Sequence, residues 1–469
     1  MTSAALAASR PSRYMRLALA VAGMLYLLLV ASTLLHVRND FGDVSWVRLI
    51  PIAALPLVLF VAVRAPLIFP FGAYIALLPY DSLLQVASGG TLTRLVAIAA
   101  GVALLFRALM LRTARRPPRA WFAWFAFMLF VGTSFLWTAD LPTGQLIFFQ
   151  SSQLLAMLTI LAVYPATEFE LRGVLVLLVL SGLGAALYGV HLYLGHSVGV
   201  FEDRLVLQTS SGLMLDPNYF ATSFILPIAV AFAGAFYTRG WWLRTLCVAA
   251  SLCMMCGILV SGSRGAFVAI GVMFAYFVVR SKNRLQVAAI VAAAVGLTAF
   301  FPSVWTRFAN DPSAAGSGSG RTYIWQTGLH SLGQHWLFGG GVGSFQTLYN
   351  ASLLSNFQPV FQGWSRPSHS IVVGTLTEYG VVGLLLVLAA WYFTFRQTRS
   401  IDVGNRFYGV RLASEAALIG LFSQAFFIDT LLIKYYWLAY AIPLLLYNVA
   451  ARPEMQRAGA RVRSARSAH

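Results

Sequence analysis

Charge is scarce in this chain. Only 10% of its residues are Asp, Glu, Lys or Arg, against roughly 25% in a soluble protein, while 59% are hydrophobic and mean hydropathy is +0.75. Acidic side chains are scarcer still, 15 against 33 basic ones. Cysteine is limited to Cys247, Cys253 and Cys256, all inside one apolar run. The C-x-x-C spacing of Cys253 and Cys256 sits in hydrocarbon, where it reads as small packing residues, so neither a disulfide framework nor a zinc site follows. Polar–apolar alternation is missing as well, which excludes a β-barrel. Outside the apolar runs there is no metal-ligand spacing and no D-x-D, so neither a metal nor another cofactor is expected. The glycines of Gly339–Phe345 follow no strand and do not make a nucleotide loop.

What the chain does have is apolar runs of spanning length from end to end. They define an all-α polytopic membrane protein. Fourteen candidate spans cover about 17–36, 47–63, 66–84, 94–111, 120–138, 145–164, 171–194, 217–236, 242–261, 264–280, 285–301, 370–395, 409–429 and 433–450. The least secure are 66–84, which Pro66, Pro70 and Pro79 can break, and 145–164, and reading runs joined by very short turns as re-entrant pairs leaves twelve. The first run is too long for a signal-peptide core and reads as a span. The expected organisation is a short basic N-terminus (1–16), helices with short loops (17–301), one large loop (302–369) between the fourth-last and third-last helices, the last helices (370–450), and a basic tail (451–469).

The net charge of +18 could signal nucleic acid, but its distribution argues otherwise. With the N-terminus in the cytoplasm and sides alternating, 24 of the 33 Lys and Arg residues fall in cytoplasmic segments. This matches the positive-inside rule, places both termini inside, and assigns most of the charge to topology and anionic lipid. The outside cations run against the rule and are the informative ones. They include Arg204, Arg264, Arg321 and Arg366.

Arg264 lies in Ser261-Gly262-Ser263-Arg264-Gly265, between two apolar runs. Burying an arginine there costs about 2.5–3.5 kcal/mol on insertion scales. Its planar fork suits phosphate oxygens, and the flanking Ser263 and Gly265 offer a donor and close backbone approach. Arg204 precedes Asp216-Pro217-Asn218, in which Asp216 and Pro217 form an ordinary helix start. His369 follows Arg366-Pro367-Ser368 where the chain re-enters the membrane. Its unperturbed pKa near 6.5 lets it take a proton from a hydroxyl at neutral pH. Glu378 lies about 13 Å further along the helix axis and on the opposite face, so a His369–Glu378 relay is not expected. Asp429 and Lys434 flank one turn and are expected to pair.

Ser263-Arg264-Gly265, then Arg321, Trp325 and Gly341-Val342-Gly343-Ser344-Phe345, then His369-Ser370 with Glu378-Tyr379-Gly380 and Gly383, resemble the O-antigen ligase superfamily. That superfamily holds lipopolysaccharide O-antigen ligases, polysaccharide polymerases and protein O-oligosaccharyltransferases. The resemblance covers about Arg204 to Gly383. It implies a C-type, metal-independent, inverting glycosyltransferase of the bacterial inner membrane with a periplasmic site. The donor would be a glycan on undecaprenyl diphosphate, and the acceptor lipid A–core or another glycan. Arg204, Arg264, Arg321 and Arg366 would hold the diphosphate, His369 would activate the acceptor, and Ser263, Gly265, Asn218 and Glu378 would support them. Two departures stand out. Ser370 replaces the family's usual Asn, and the span count exceeds the usual twelve, which keeps a polymerase in view. A lipid-linked glycan flippase is the alternative from another class. It is disfavoured because the cations gather at one face rather than at the midplane.

Overall fold

In a computed structural model, residues 59–450 are described, apart from 82, 87–89, 112–113, 196–199, 202–203, 206–215, 301–319, 356–362 and 403–405. The expected spans 17–36 and 47–63 (but for its last residues) lie outside them, as do the basic tail and most of the loop's first third. Among the described residues the architecture is all-α. The helices are α1 (Phe71–Leu77), α2 (Leu92–Leu111), α3 (Arg119–Thr133), α4 (Leu141–Val163), α5 (Glu168–Leu194), α6 (Pro217–Tyr237), α7 (Trp241–Ser261), α8 (Arg264–Arg280) and α9 (Arg284–Leu297). They continue with α10 (Arg321–His330), α11 (Leu332–His335), α12 (Phe345–Leu354), α13 (Ile371–Ser400), α14 (Tyr408–Ala425) and α15 (Lys434–Ala450). Strand pairing among the described residues is limited to two antiparallel ladders, Gln85–Val86 with Gly90–Thr91 and Val200–Phe201 with Arg204–Leu205.

Seven of the described helices are long and apolar enough to cross a membrane, so the protein is multi-pass. Their burial sorts them into layers. The most apolar stretch of α6 is 78% buried and that of α2 only 22%. On α2, Leu95, Ile98, Val102, Leu105 and Leu109 are exposed at helical spacing, while Ala100, Leu104 and Ala108 face inward. A helix apolar all round, with one face uncovered by protein, presents that face to lipid. The central α6 packs against α7 and α14, and α14 packs in turn on α8. The expected span 66–84 is not one helix. Pro66, Pro70 and Pro79 cannot continue a backbone ladder, and the segment forms the short α1 followed by a 3-10 turn at Leu78–Tyr80. By contrast, the 145–164 run is a single 23-residue helix, capped by Asp140.

The two classes of cation fall at opposite ends of the bundle. At one end Arg107 donates to Val63 O, Arg115 to Asn448 O and Tyr408 to Arg280 O, and Glu168 pairs with Arg172 and Arg406. At the other end lie Arg264, Arg321 and Lys434, at the first residues of α8, α10 and α15. The described part of 302–369 is helical rather than linker-like. Ile324, Phe345, Tyr349 and Val373 build a small separate core that seats α10 and α12 on α13.

Candidate active site

The site forms where helices begin. Asp216 caps α6 and Pro217 occupies its first turn, where a missing N–H costs nothing. Gly262 closes α7 in the left-handed conformation at φ +61°, and Ser263 at once caps α8. Ser370 caps α13, whose first residue, Ile371, lies one past the start of the expected span 370–395. The N-termini of α6, α8 and α13 thus share one end of the bundle, each contributing the partial positive charge of a helix start.

His369 sits at this junction, about one-fifth exposed, with Nδ1 3.9 Å from Asp216 Oδ2. Its φ is +48°, a left-handed conformation that histidine tolerates better than most non-glycine residues. Its neighbours are tied down. Trp325 Nε1 donates to Ser368 O at 2.9 Å, and Asn350 exchanges two hydrogen bonds with Ser365. Burial pushes the His369 pKa below the ordinary imidazole value, and the charges of Arg321 and Arg366 push the same way, while Asp216 opposes them. These influences favour the neutral ring, the form that can accept a proton.

Ser263 and Asn218 are joined to this group, since Ser263 Oγ donates to Asn218 Oδ1 at 2.6 Å. Arg264 follows at the start of α8 and is half-buried. Gly265 faces Phe427, where an added Cβ would lie 3.1 Å from the Phe427 Cβ. Arg321 opens α10 and donates from Nη1 to Phe427 O at 3.0 Å. Arg366 is exposed. The backbone of Arg204 lies in the short ladder with Phe201, and its side chain falls outside the described part of the chain.

Glu378 does not meet His369. Its Oε1 accepts from Phe345 N at 3.3 Å and so caps α12. The helix around it is broken at Gly380, whose φ of +64° and ψ of −166° free backbone groups on both sides. The glycine-rich segment satisfies them. Gly340 N donates to Thr377 O at 2.9 Å and Gly341 N to Glu378 O at 2.8 Å. Val381 N and Val382 N in turn donate to Trp336 O and Leu337 O. There is no room for side chains: a Cβ on Gly380 would lie 2.3 Å from Leu337 O, and one on Gly341 2.3 Å from Thr138 Cα.

A cavity of about 560 Å³ opens beside these elements, lined in part by Asp216, Tyr219, Ser368, Glu378, Asp429 and Lys434. The expected Asp429–Lys434 pair does not form. Lys434 reaches back to Asp81 at 2.6 Å, while Asp429 turns to Leu431 N and Ser368 Oγ. Burial raises the Asp429 pKa. Sequence reasoning gave this carboxylate only a local pairing with Lys434, and it took Asp216 for a cap alone. A signal for Asp216 was present: one cap oxygen satisfies the helix start and the second is left over.

No match was found among curated proteins. Residues 249–388 match the family model described as O-antigen ligase, a stretch running from α7 through most of α13 and holding Ser263, Arg264, Arg321, the glycine segment, His369 and Glu378. The match supports the resemblance of this membrane protein to the O-antigen ligase superfamily.

Proposed function

We propose that this protein transfers a glycan from undecaprenyl diphosphate to an acceptor hydroxyl at the periplasmic face of the bacterial inner membrane, with both termini cytoplasmic. The preferred acceptor is lipid A–core, making the protein an O-antigen ligase. The observation that carries this reading is the imidazole of His369, with Nδ1 3.9 Å from Asp216 Oδ2 and under the charges of Arg321 and Arg366, beside a cavity of about 560 Å³.

In this reading His369 takes the proton of the acceptor hydroxyl as its oxygen attacks the anomeric carbon. The bond from that carbon to the phosphate oxygen breaks, its electron pair leaves on the lipid diphosphate, and the configuration inverts. Arg264, Arg321, Arg204 and Arg366 offset the charge that grows on the diphosphate. Such stabilisation is strong because the donors are fixed before reaction. Ser263, Gly265 and Asn218 hold the start of α8, and Glu378 holds α12 against α13. No step requires a metal, so transfer is expected to persist in EDTA. The bond from Ser263, the cap of α8, to Asn218 in the first turn of α6 supports a built site rather than a membrane-end arginine that reaches for water.

The test is acceptor profiling with purified protein. Lipid-linked glycan is supplied with and without lipid A–core, and products are followed by gel and mass. Glycan on lipid A–core only when that acceptor is added supports ligation. Longer lipid-linked glycan without added acceptor identifies a polymerase and overturns the ligase assignment. No covalent product with any acceptor, including protein, overturns the enzyme reading in favour of transport.

A further inference from the structure

We propose that Asp216 is a positioning residue for His369: its Oδ2 holds the Nδ1 side of the imidazole, leaving Nε2 to take the acceptor proton. The inference rests on the transfer reading above for its chemical consequence, but its geometry can be tested apart from it.

The two oxygens of Asp216 have different employment. Oδ1 accepts from Asn218 N at 2.8 Å and from Asn218 Nδ2 at 2.6 Å. Those two bonds fix the rotation of the carboxylate. Oδ2 is then left toward His369 Nδ1, 3.9 Å away. That separation is ion-pair range rather than a hydrogen bond, and catalytic contacts of this kind shorten once substrate displaces water. Asn218 extends the unit further, because its Oδ1 accepts from Ser263 Oγ, the residue that caps α8 directly before Arg264. One hydrogen-bonded chain therefore runs from the start of α6 to the arginine turn, and Asp216 faces the histidine from its end.

Charge makes the same point. The groups acting on the ring are Arg321 from α10, Arg366 from the segment before α13, and Asp216 from α6. Asp429, from the α14–α15 turn, stands behind Ser368. Both arginines disfavour an imidazolium, yet proton transfer from the acceptor creates one. Asp216 is placed to offset that cost when the charge forms. In the balanced step, the hydroxyl proton moves to Nε2, and the imidazolium keeps its Nδ1–H directed at Oδ2. The proton passes to water after the lipid diphosphate departs.

Asp216→Asn and Asp216→Ser both keep a good helix N-cap, so α6 can still start. Asp216→Glu keeps the carboxylate. The first readout is an NMR titration of protein carrying labelled histidine, with the His369 signal among the seven histidines assigned by its loss in His369→Gln. The His369 midpoint should fall by about one pH unit in the Asn and Ser variants, the low end for losing an opposite charge within ~4–6 Å. It should stay nearer the parent value in Asp216→Glu. The second readout is glycan transfer. In the Asn variant kcat should drop roughly 10–100-fold, the scale for a partner that orients a functional imidazole, with donor KM held within about twofold. An unmoved His369 midpoint in both Asn and Ser variants overturns the proposal, as does a loss confined to KM. If the parent protein transfers no glycan while the midpoint still falls, the transfer reading fails and the Asp216–His369 contact stands.

Discussion

Segments 339–343 and 365–370 both dock on α13, and they use it in opposite ways. The glycine segment meets the helix at its break. Every backbone group it reaches there is paired, and its glycines leave no space for a methyl group. The histidine segment meets the helix at its start. It is tied through Trp325 and Asn350, yet its imidazole and Asp216 remain partly exposed beside the cavity. The first arrangement is scaffold, and its saturation is the mark of that. The second holds titratable groups short of full pairing, which is the condition for binding and proton transfer. Motif residues that stand together in the family resemblance therefore divide into two kinds of work.

Substitutions on the two segments should separate these roles. The largest effect belongs to the histidine segment. His369→Ala should lower transfer by about 10²–10⁴-fold, the usual worth of a general base. Its thermal unfolding in detergent should stay within about 1–2 kcal/mol of the parent protein, the scale of a left-handed φ at an alanine, because no fold element is removed. Arg264→Lys keeps the charge but loses the fork. Transfer should fall roughly 10–100-fold, less than the ~10²–10³ for removing a transition-state donor outright. Gly380→Ala tests the other segment and should act on stability first. A Cβ 2.3 Å from Leu337 O, at φ +64°, must shift backbone. Unfolding should come earlier by at least about 1–3 kcal/mol of lost stability, with transfer lost in proportion to folded protein. A stable Gly380→Ala with abolished transfer would break the comparison.

A pH profile sharpens it. The reactive form of His369 is the neutral ring, so activity is full above its pKa and falls as pH drops through it. Burial and the two arginines hold that pKa below 6.5, so the midpoint of the acid limb should lie below pH 6.5. The smallest effect is a control. Gly271 on α8 is exposed, with nothing within 4 Å of an added Cβ. Gly271→Ala should change stability by about 0.5–1 kcal/mol in the favourable direction and leave transfer alone.

The helical bundle was legible in the sequence because hydrocarbon leaves few choices: continuous apolar runs must be helices. The charge partition was legible for the same reason. Arg107, Arg115 and Arg406 gather at one end of the bundle, away from Arg264 and Arg321, as the alternation of basic segments implies. Pairings between distant segments were not legible. Lys434 stands five residues from Asp429 yet bonds Asp81, because the α14–α15 turn directs it toward the chain before α2. Glu378 was set apart from His369 by helix geometry alone, and its work as the cap of α12 depends on a helix break that only Gly380 announces. Asp216 was visible as a cap, and its second oxygen gains meaning only when α6 and α13 begin side by side.

The measurement closest to the central claim is transfer of lipid-linked glycan to added lipid A–core by the purified protein and by His369→Ala, run side by side at pH 7. The account predicts acceptor-dependent product from the parent protein and a loss of about 10²–10⁴-fold in a variant that remains folded. Equal product from a folded His369→Ala would contradict it.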